Sequence, residues 1–138
     1  MDRECADIVE MNQKFGFVMN TVPGHLSHRK MTERLGALME ELAEIAQAAA
    51  REDLAGVADG LVDLVVFAKG TAVMMGLPWK ELWDDVMRAN LSKERGIGKR
   101  GYKVDLVKPE GWVGPQTERI LGSAGYDGAT YGGCDDRP

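Results

Sequence analysis

Carboxylates at helical spacing on two consecutive segments are the residues of this chain best suited to chemistry. The first segment carries Glu40, Glu41 and Glu44, and the second carries Asp59 and Asp63. Residues three or four apart lie on one face of a helix, so each segment would present its acids as a group. Hard oxygen ligands of this kind suit Mg²⁺, with Mn²⁺ as a substitute.

The two aspartates stand in an apolar stretch, which raises their significance. Between Asp59 and Gly76 the only other ionisable residues are Asp63 and Lys69. An unpaired buried carboxylate is costly, so two of them facing glutamates across an antiparallel helix pair would need a cation. Acids on a solvated helix, or aspartates favoured by the dipole at a helix start, remain the alternatives that the pattern leaves open.

Basic residues gather in the second half of the chain. Residues 88–108 contain two acids and seven bases, the bases being Arg88, Lys93, Arg95, Lys99, Arg100, Lys103 and Lys108. A metal–polyphosphate site needs both kinds of charge, because a cation bridges phosphate oxygens while Lys and Arg neutralise the rest. Solvated surface charge would give the same run of bases. The net charge of −5 and the scarcity of interleaved aromatics argue against a nucleic-acid ligand.

Helices are predicted to position these charges. Apolar residues recur at helical spacing in four segments, at about 5–20, 27–51, 54–75 and 79–94. The third segment is apolar on nearly every face, which is typical of a buried helix. The sequence predicts an all-α bundle of four to five helices spanning residues 1–115. An irregular segment follows residue 96, and residues 116–138 are predicted to be a mobile tail.

Composition and targeting signals indicate a soluble, cytoplasmic protein of one domain. The 138 residues are 44% hydrophobic and 28% charged, which is typical of a globular domain. Cys5 and Cys134 have no zinc-type spacing and are expected to be reduced thiols. No signal peptide is apparent, and the longest apolar run, 64–77, is too short to cross a bilayer. We therefore expect no membrane partner.

Several segments together resemble the MazG-like, all-α nucleotide pyrophosphohydrolases, in particular their phosphoribosyl-ATP-pyrophosphohydrolase-like branch common in bacteriophages. The resemblance covers residues 15–115. Its matching segments are Arg34-x5-Glu40-Glu41-x-x-Glu44, Ala58-Asp59-Gly60-Leu61-Val62-Asp63 leading to Gly70-Thr71-Ala72, Val86-Met87-Arg88-Ala89-Asn90-Leu91-Ser92-Lys93, Gly101-Tyr102-Lys103-Val104, and Lys108-Pro109-x-x-Trp112-x-x-Pro115.

The resemblance implies a Mg²⁺-dependent hydrolase that cuts nucleoside triphosphates into the monophosphate and pyrophosphate. It also implies an obligate helical homodimer or homotetramer, with Glu41, Glu44 and Asp63 as metal ligands. Many relatives carry a further ligating glutamate where this chain has Gly60, and Asp59 is the neighbouring acid that could reach the same face.

The resemblance further implies roles for the remaining polar residues of the site. Water held by the metal or oriented by Glu40 would attack the triphosphate. Phosphate and sugar contacts would come from Arg88, Asn90, Lys93 and Lys103. Two other functions stay open, namely a non-catalytic helical dimer that binds a nucleotide or partner, and hydrolysis of phosphoribosyl-ATP.

Overall fold

A computed structural model describes residues 1–128 of the chain. Five helices and one antiparallel hairpin follow in the order α1 Arg3–Phe15, α2 His28–Ala50, α3 Leu54–Met74, α4 Trp79–Leu91, β1 Glu94–Gly96, β2 Asp105–Val107 and α5 Thr117–Ser123. The predicted all-α class is confirmed, and each of the four predicted helices is present. Cys134 and the end of the predicted tail lie outside the described residues.

Side-chain caps explain where the first three helices begin. Asp2, Ser27 and Asp53 each accept a hydrogen bond from the backbone N–H three residues later, at 2.8, 3.1 and 3.0 Å respectively. Such caps satisfy N–H groups that have no partner inside the helix. The bounds of α2 and α3 consequently fall within one residue of the sequence prediction.

The predicted end of the first helix was wrong by five residues. Gly16 adopts a left-handed conformation, with φ 77°, and its N–H bonds to the carbonyl of Gln13. The N–H of Phe17 bonds to the carbonyl of Asn12 at 2.9 Å. This pair of bonds closes α1 at Phe15, so Val18 continues the apolar spacing of the helix without belonging to it.

α2 and α3 form an antiparallel helical hairpin, joined by residues 51–53. Ion pairs attach α1 to the far half of α3, because the buried ammonium of Lys69 contacts Glu4 and also Asp2. A small core forms where the loop before α2 meets the end of α3, with Leu26 and Met74 buried against each other. This scaffold fixes the face that carries the acids.

The prediction of a buried third helix holds only for its second half. Residues 69–72 are buried, whereas Leu61, Val62 and Val65 are 50%, 64% and 45% exposed. The apolar stripe of α2 is exposed as well at Leu35 and Leu42. An apolar periodicity predicts that a face is covered but not what covers it, so the predicted burial is not met by the first half of α3 in the single chain.

The segment after α4 is more regular than predicted. β1 pairs with β2 in the register Arg95↔Leu106, and α5 lies inside the segment predicted to be a tail. Strands of three residues and a helix of seven are too short to give a readable periodicity. Among the described residues no single helix could cross a membrane; α3 and α4 reach that length and composition only jointly, across a bend of 119°.

Candidate active site

The acids of α2 and α3 meet at one open cleft. A cavity of about 290 Å³ is lined by Glu44 on α2 and by Asp59 and Asp63 on α3. Short spacing puts each set on one helix face, and the hairpin places the two faces opposite each other. The structure therefore brings together three of the five carboxylates that the sequence singled out, namely Glu44, Asp59 and Asp63.

The Glu41 carboxyl lies close enough to Glu44 and Asp63 for their charges to act on it. Burial raises the pKa of its carboxyl, and the charges of Glu44, Asp63 and Glu40 raise that pKa further. Its Oε2 atom is buried and has no hydrogen-bond partner among residues 1–128. Both effects disfavour a bare carboxylate, because desolvation and like charges each penalise the ionised form. A cation at this position would relieve both penalties.

The acids do not yet form a closed coordination shell. In residues 1–128 no three Asp, Glu, His or Cys side chains stand in metal-coordinating geometry. Glu44, Asp59 and Asp63 are exposed, so their side chains can turn toward a common ion. The donor set, all oxygen and net negative, still fits Mg²⁺.

Two small residues allow the helices to approach at the cleft. A Cβ built on Gly60 would lie 2.5 Å from Ile45 Cγ1, and one on Gly56 would lie 3.0 Å from the Ala48 methyl. A side chain at position 60 would force the helices apart. A glutamate at this position, which the resemblance leads us to expect, therefore does not fit this packing, and Asp59 is the acid that lines the cleft instead.

Arg88, on α4, is engaged with the segment after the hairpin. Its Nε donates to Asp85 at 2.9 Å, and its Nη2 donates to the Gly114 carbonyl at 3.0 Å. A weaker contact, 3.4 Å, reaches the Val113 carbonyl. In the single chain this guanidinium therefore binds Asp85 and two backbone carbonyls rather than the acidic cleft.

The remaining predicted phosphate contacts lie at the end of α4 and on the hairpin. Asn90 and Lys93 are half-buried, and Lys103 is exposed. Within residues 1–128, no hydrogen bond, ion pair or shared cavity joins them to Glu41 or the other acids. One chain thus displays the acidic and basic halves of the predicted site on separate elements.

The sequence profile of the family described as phosphoribosyl-ATP pyrophosphohydrolase matches residues 8–90. This chain belongs to that family. The match covers more than half of the chain and contains the acidic cleft, so a pyrophosphohydrolase, acting on a phosphoric anhydride, is the enzyme class. The family is part of the MazG-like all-α superfamily, which confirms the resemblance drawn from the motifs. No curated protein matches the chain.

Two residues beside the acids of this pyrophosphohydrolase were not predicted from the sequence. Gln47 and Arg51 line the same cavity as Glu44, and Arg51 brings a positive charge to its rim. The signal was present in the spacing, since Arg51 follows Glu44 by seven residues and so falls on the same face of α2. Proximity to the acids makes it a candidate phosphate contact.

Arg34 joins the two helices of the hairpin. Its Nε donates to Thr71 Oγ1 and its Nη2 to the Phe67 carbonyl, both at 3.0 Å. The guanidinium also lies 5.1 Å from the centre of the Phe67 ring. These contacts lie on the buried half of α3, so Arg34 positions the helices rather than the substrate.

Proposed function

We propose that this chain is a Mg²⁺-dependent nucleoside triphosphate pyrophosphohydrolase, converting a (d)NTP and water to the (d)NMP and pyrophosphate. The supporting observation is Glu41, whose carboxyl is partly buried among like charges and has an oxygen without a partner in the part of the chain that the structure describes. Within a pyrophosphohydrolase family, such a group is explained by a cation that accompanies a polyphosphate substrate.

The residues that would hold Mg²⁺ are Glu41, Glu44 and Asp63, with Asp59 on the same cleft. When bound, the cation would withdraw negative charge from the phosphate oxygens. Mn²⁺, with the same preference for oxygen, would substitute. Gly60 packs against Ile45 of α2, and Asp59, one position before the glutamate that the resemblance implies, supplies the acid on this side of the cleft.

The protein's own groups would orient water and bind phosphate. Glu40 is exposed next to Glu41, so its carboxylate can accept the proton of an attacking water. The water oxygen bonds to a phosphorus of the triphosphate, the anhydride P–O bond breaks, and pyrophosphate leaves. Lys93 and Lys103 would neutralise the phosphates, Asn90 would contact phosphate or sugar, and Arg88 would contribute charge at the same end of α4.

We further propose that the chain acts as a homodimer or homotetramer. The exposed side chains of Leu61, Val62 and Val65 adjoin a largely apolar groove of about 500 Å³ between α1 and α3. Contiguous apolar surface of this kind is typical of a protein contact. Sedimentation equilibrium should give a multiple of the 15.1 kDa chain mass, and Val62→Glu should shift the distribution toward the monomer.

Phosphoribosyl-ATP is the second candidate substrate, because it is named in the description of the matching family. Its hydrolysis breaks the same kind of anhydride bond, so the acidic cleft does not distinguish the two. Pyrophosphate release should be measured from phosphoribosyl-ATP and from the common ribo- and deoxyribonucleoside triphosphates, each with Mg²⁺ and with EDTA. Metal-dependent release from the triphosphates supports the proposal, and release from phosphoribosyl-ATP alone would replace it.

A non-catalytic nucleotide-binding or interaction dimer is the third possibility. Failure of a folded preparation to release pyrophosphate from any of these compounds would favour it over either enzyme. Thermal stabilisation by a nucleotide without turnover would then identify binding as the function.

A further inference from the structure

A strap formed by residues 109–116 folds back along α4 and fixes the indole of Trp112. The strap begins with a turn in which the Trp112 N–H bonds to the Pro109 carbonyl, and Gly111 takes φ 73° within it. The indole Nε1 donates to the Ala89 carbonyl at 2.8 Å. The Arg88 bond to the Gly114 carbonyl holds the other side of the strap. The ring therefore has a fixed place beside the end of α4.

Two ammonium groups converge on this ring. Lys93 Nζ lies 5.3 Å from the ring centre, and Lys108 Nζ lies 4.9 Å from it. Both distances are within the range of a cation–π contact. The two nitrogens are consequently no more than about 10 Å apart, which lets one polyphosphate chain reach both.

The two ammonium groups of this cluster contact the Trp112 ring. Within residues 1–128, neither ammonium forms an ion pair with a carboxylate. The charge of Lys93 does act on Asp105, but that carboxylate is bound by Arg100, with Nη2 at 2.7 Å from Oδ1. An anion beside the two ammonium groups would interact favourably with both, and a polyphosphate offers several oxygens that accept charge-assisted hydrogen bonds.

We propose that Lys108 is a phosphate-binding residue, that it binds the polyphosphate of the substrate together with Lys93, and that Trp112 is the positioning residue that brings the two together. The assignment of Lys93 to a phosphate rests on the proposed function. The roles of Lys108 and Trp112 come from their geometry around Lys93. Lys93, Lys108 and Trp112 do not line the acidic cleft and lie outside residues 8–90. Trp112 is attached to that matched region by its bond to the Ala89 carbonyl of α4.

Tripolyphosphate binding to the full chain, measured by calorimetry without metal, tests the cluster directly. Lys108→Ala should weaken binding by about tenfold, as expected for one charge-assisted hydrogen bond. Lys99→Ala is the matched control, because Lys99 is an exposed base between β1 and β2 and its loss changes the net charge equally. Equal weakening by both variants, or none by Lys108→Ala, would overturn the proposal.

The role of Trp112 is tested by two substitutions with circular dichroism as the check on folding. Trp112→Phe keeps an aromatic face and should retain most of the tripolyphosphate affinity, whereas Trp112→Leu should lose as much as Lys108→Ala. In turnover, the loss should appear as a raised KM with kcat little changed, since uniform binding is removed. Equal affinity of the phenylalanine and leucine variants would contradict the positioning role.

Triphosphate hydrolysis and the anion site at Lys108 can be tested separately. If the protein hydrolyses triphosphates but Lys108→Ala binds tripolyphosphate as the wild type does, only the role of Lys108 is wrong. If no triphosphate is hydrolysed but tripolyphosphate binding still depends on Lys108 and not on Lys99, the anion site stands and the hydrolase proposal falls.

Discussion

Gly60 of α3 packs directly against Ile45 of α2, so closely that a Cβ at position 60 would lie 2.5 Å from Ile45 Cγ1. This contact lies beside the acidic cleft and sets the separation of the two helices there. It also explains why the acid near this point is Asp59, since Gly60 itself has no room for a side chain. The packing of one glycine thus determines which carboxylates can face each other.

Gly60→Ala should destabilise the fold. The added methyl group overpacks the helix contact, which costs roughly 1–3 kcal/mol, while the better helix propensity of alanine offsets about 1 kcal/mol. Urea unfolding without metal should show the net loss. Gly36→Ala is the control, because nothing lies within 4 Å of a Cβ at that exposed helical position. That variant should gain up to about 1 kcal/mol, and an equal gain at position 60 would refute the packing argument.

Glu41→Gln should abolish most of the pyrophosphate release. Removing a residue that only orients a metal ligand typically lowers activity by about 10–100-fold. Removing a ligand itself should therefore lower the activity at least about a hundredfold. Steady-state rates with saturating Mg²⁺ provide the measurement. Glu10→Gln, at an exposed position of α1, should leave the rate unchanged. Comparable activity of the two variants would exclude Glu41 from the metal site.

The raised pKa of Glu41 predicts how stability depends on pH without metal. The folded state holds this proton more tightly than the unfolded state, so ionisation penalises folding at pH values above the folded pKa. Glu41→Gln should therefore melt at a higher temperature than the wild type at pH 7, and the difference should shrink as the pH falls toward 4.5, the ordinary value. A glutamine variant that melts lower at pH 7 would indicate a structural carboxylate.

The attachment of the strap to α4 should depend on the negative charge of Asp85. The Gln116 N–H, at 2.6 Å from Asp85 Oδ2, and the Arg88 guanidinium lower the pKa of Asp85. The contribution of Asp85 to the free energy of unfolding is therefore present above its ordinary pKa of 3.8, and it is lost as the pH falls through the folded pKa. Asp85→Asn should accelerate hydrogen exchange of the Gln116 amide. Asp84→Asn, which removes a contact to Lys80 instead, should not. Unchanged exchange in Asp85→Asn would show that other contacts hold the strap.

The helical hairpin and its acids could be predicted because local signals determine them. Ser27 and Asp53 cap the helices, the apolar spacing is long, and the three-residue connection forces antiparallel packing. Once both helices are placed, the spacing of Asp59 and Asp63 determines their common face. Glu41 then lies within reach of the charges of Glu44 and Asp63.

Features set by single long-range contacts could not be predicted from the sequence. The Trp112 bond to the Ala89 carbonyl joins residues 23 positions apart, and no periodicity signals it. The same is true of the fit between Gly60 and Ile45, which depends on the distance between two helices. The exposed half of α3 was read as buried, because an apolar helix face does not reveal whether its own chain covers it.

Product analysis after incubation of one nucleoside triphosphate tests the central claim most directly. The wild-type protein with Mg²⁺ should yield the monophosphate and pyrophosphate in equal amounts. Neither product should appear with EDTA, and Glu41→Gln should form both at least about a hundredfold more slowly. Release of the diphosphate and inorganic phosphate, or pyrophosphate formation that persists in EDTA, would contradict a metal-dependent pyrophosphohydrolase built on these carboxylates.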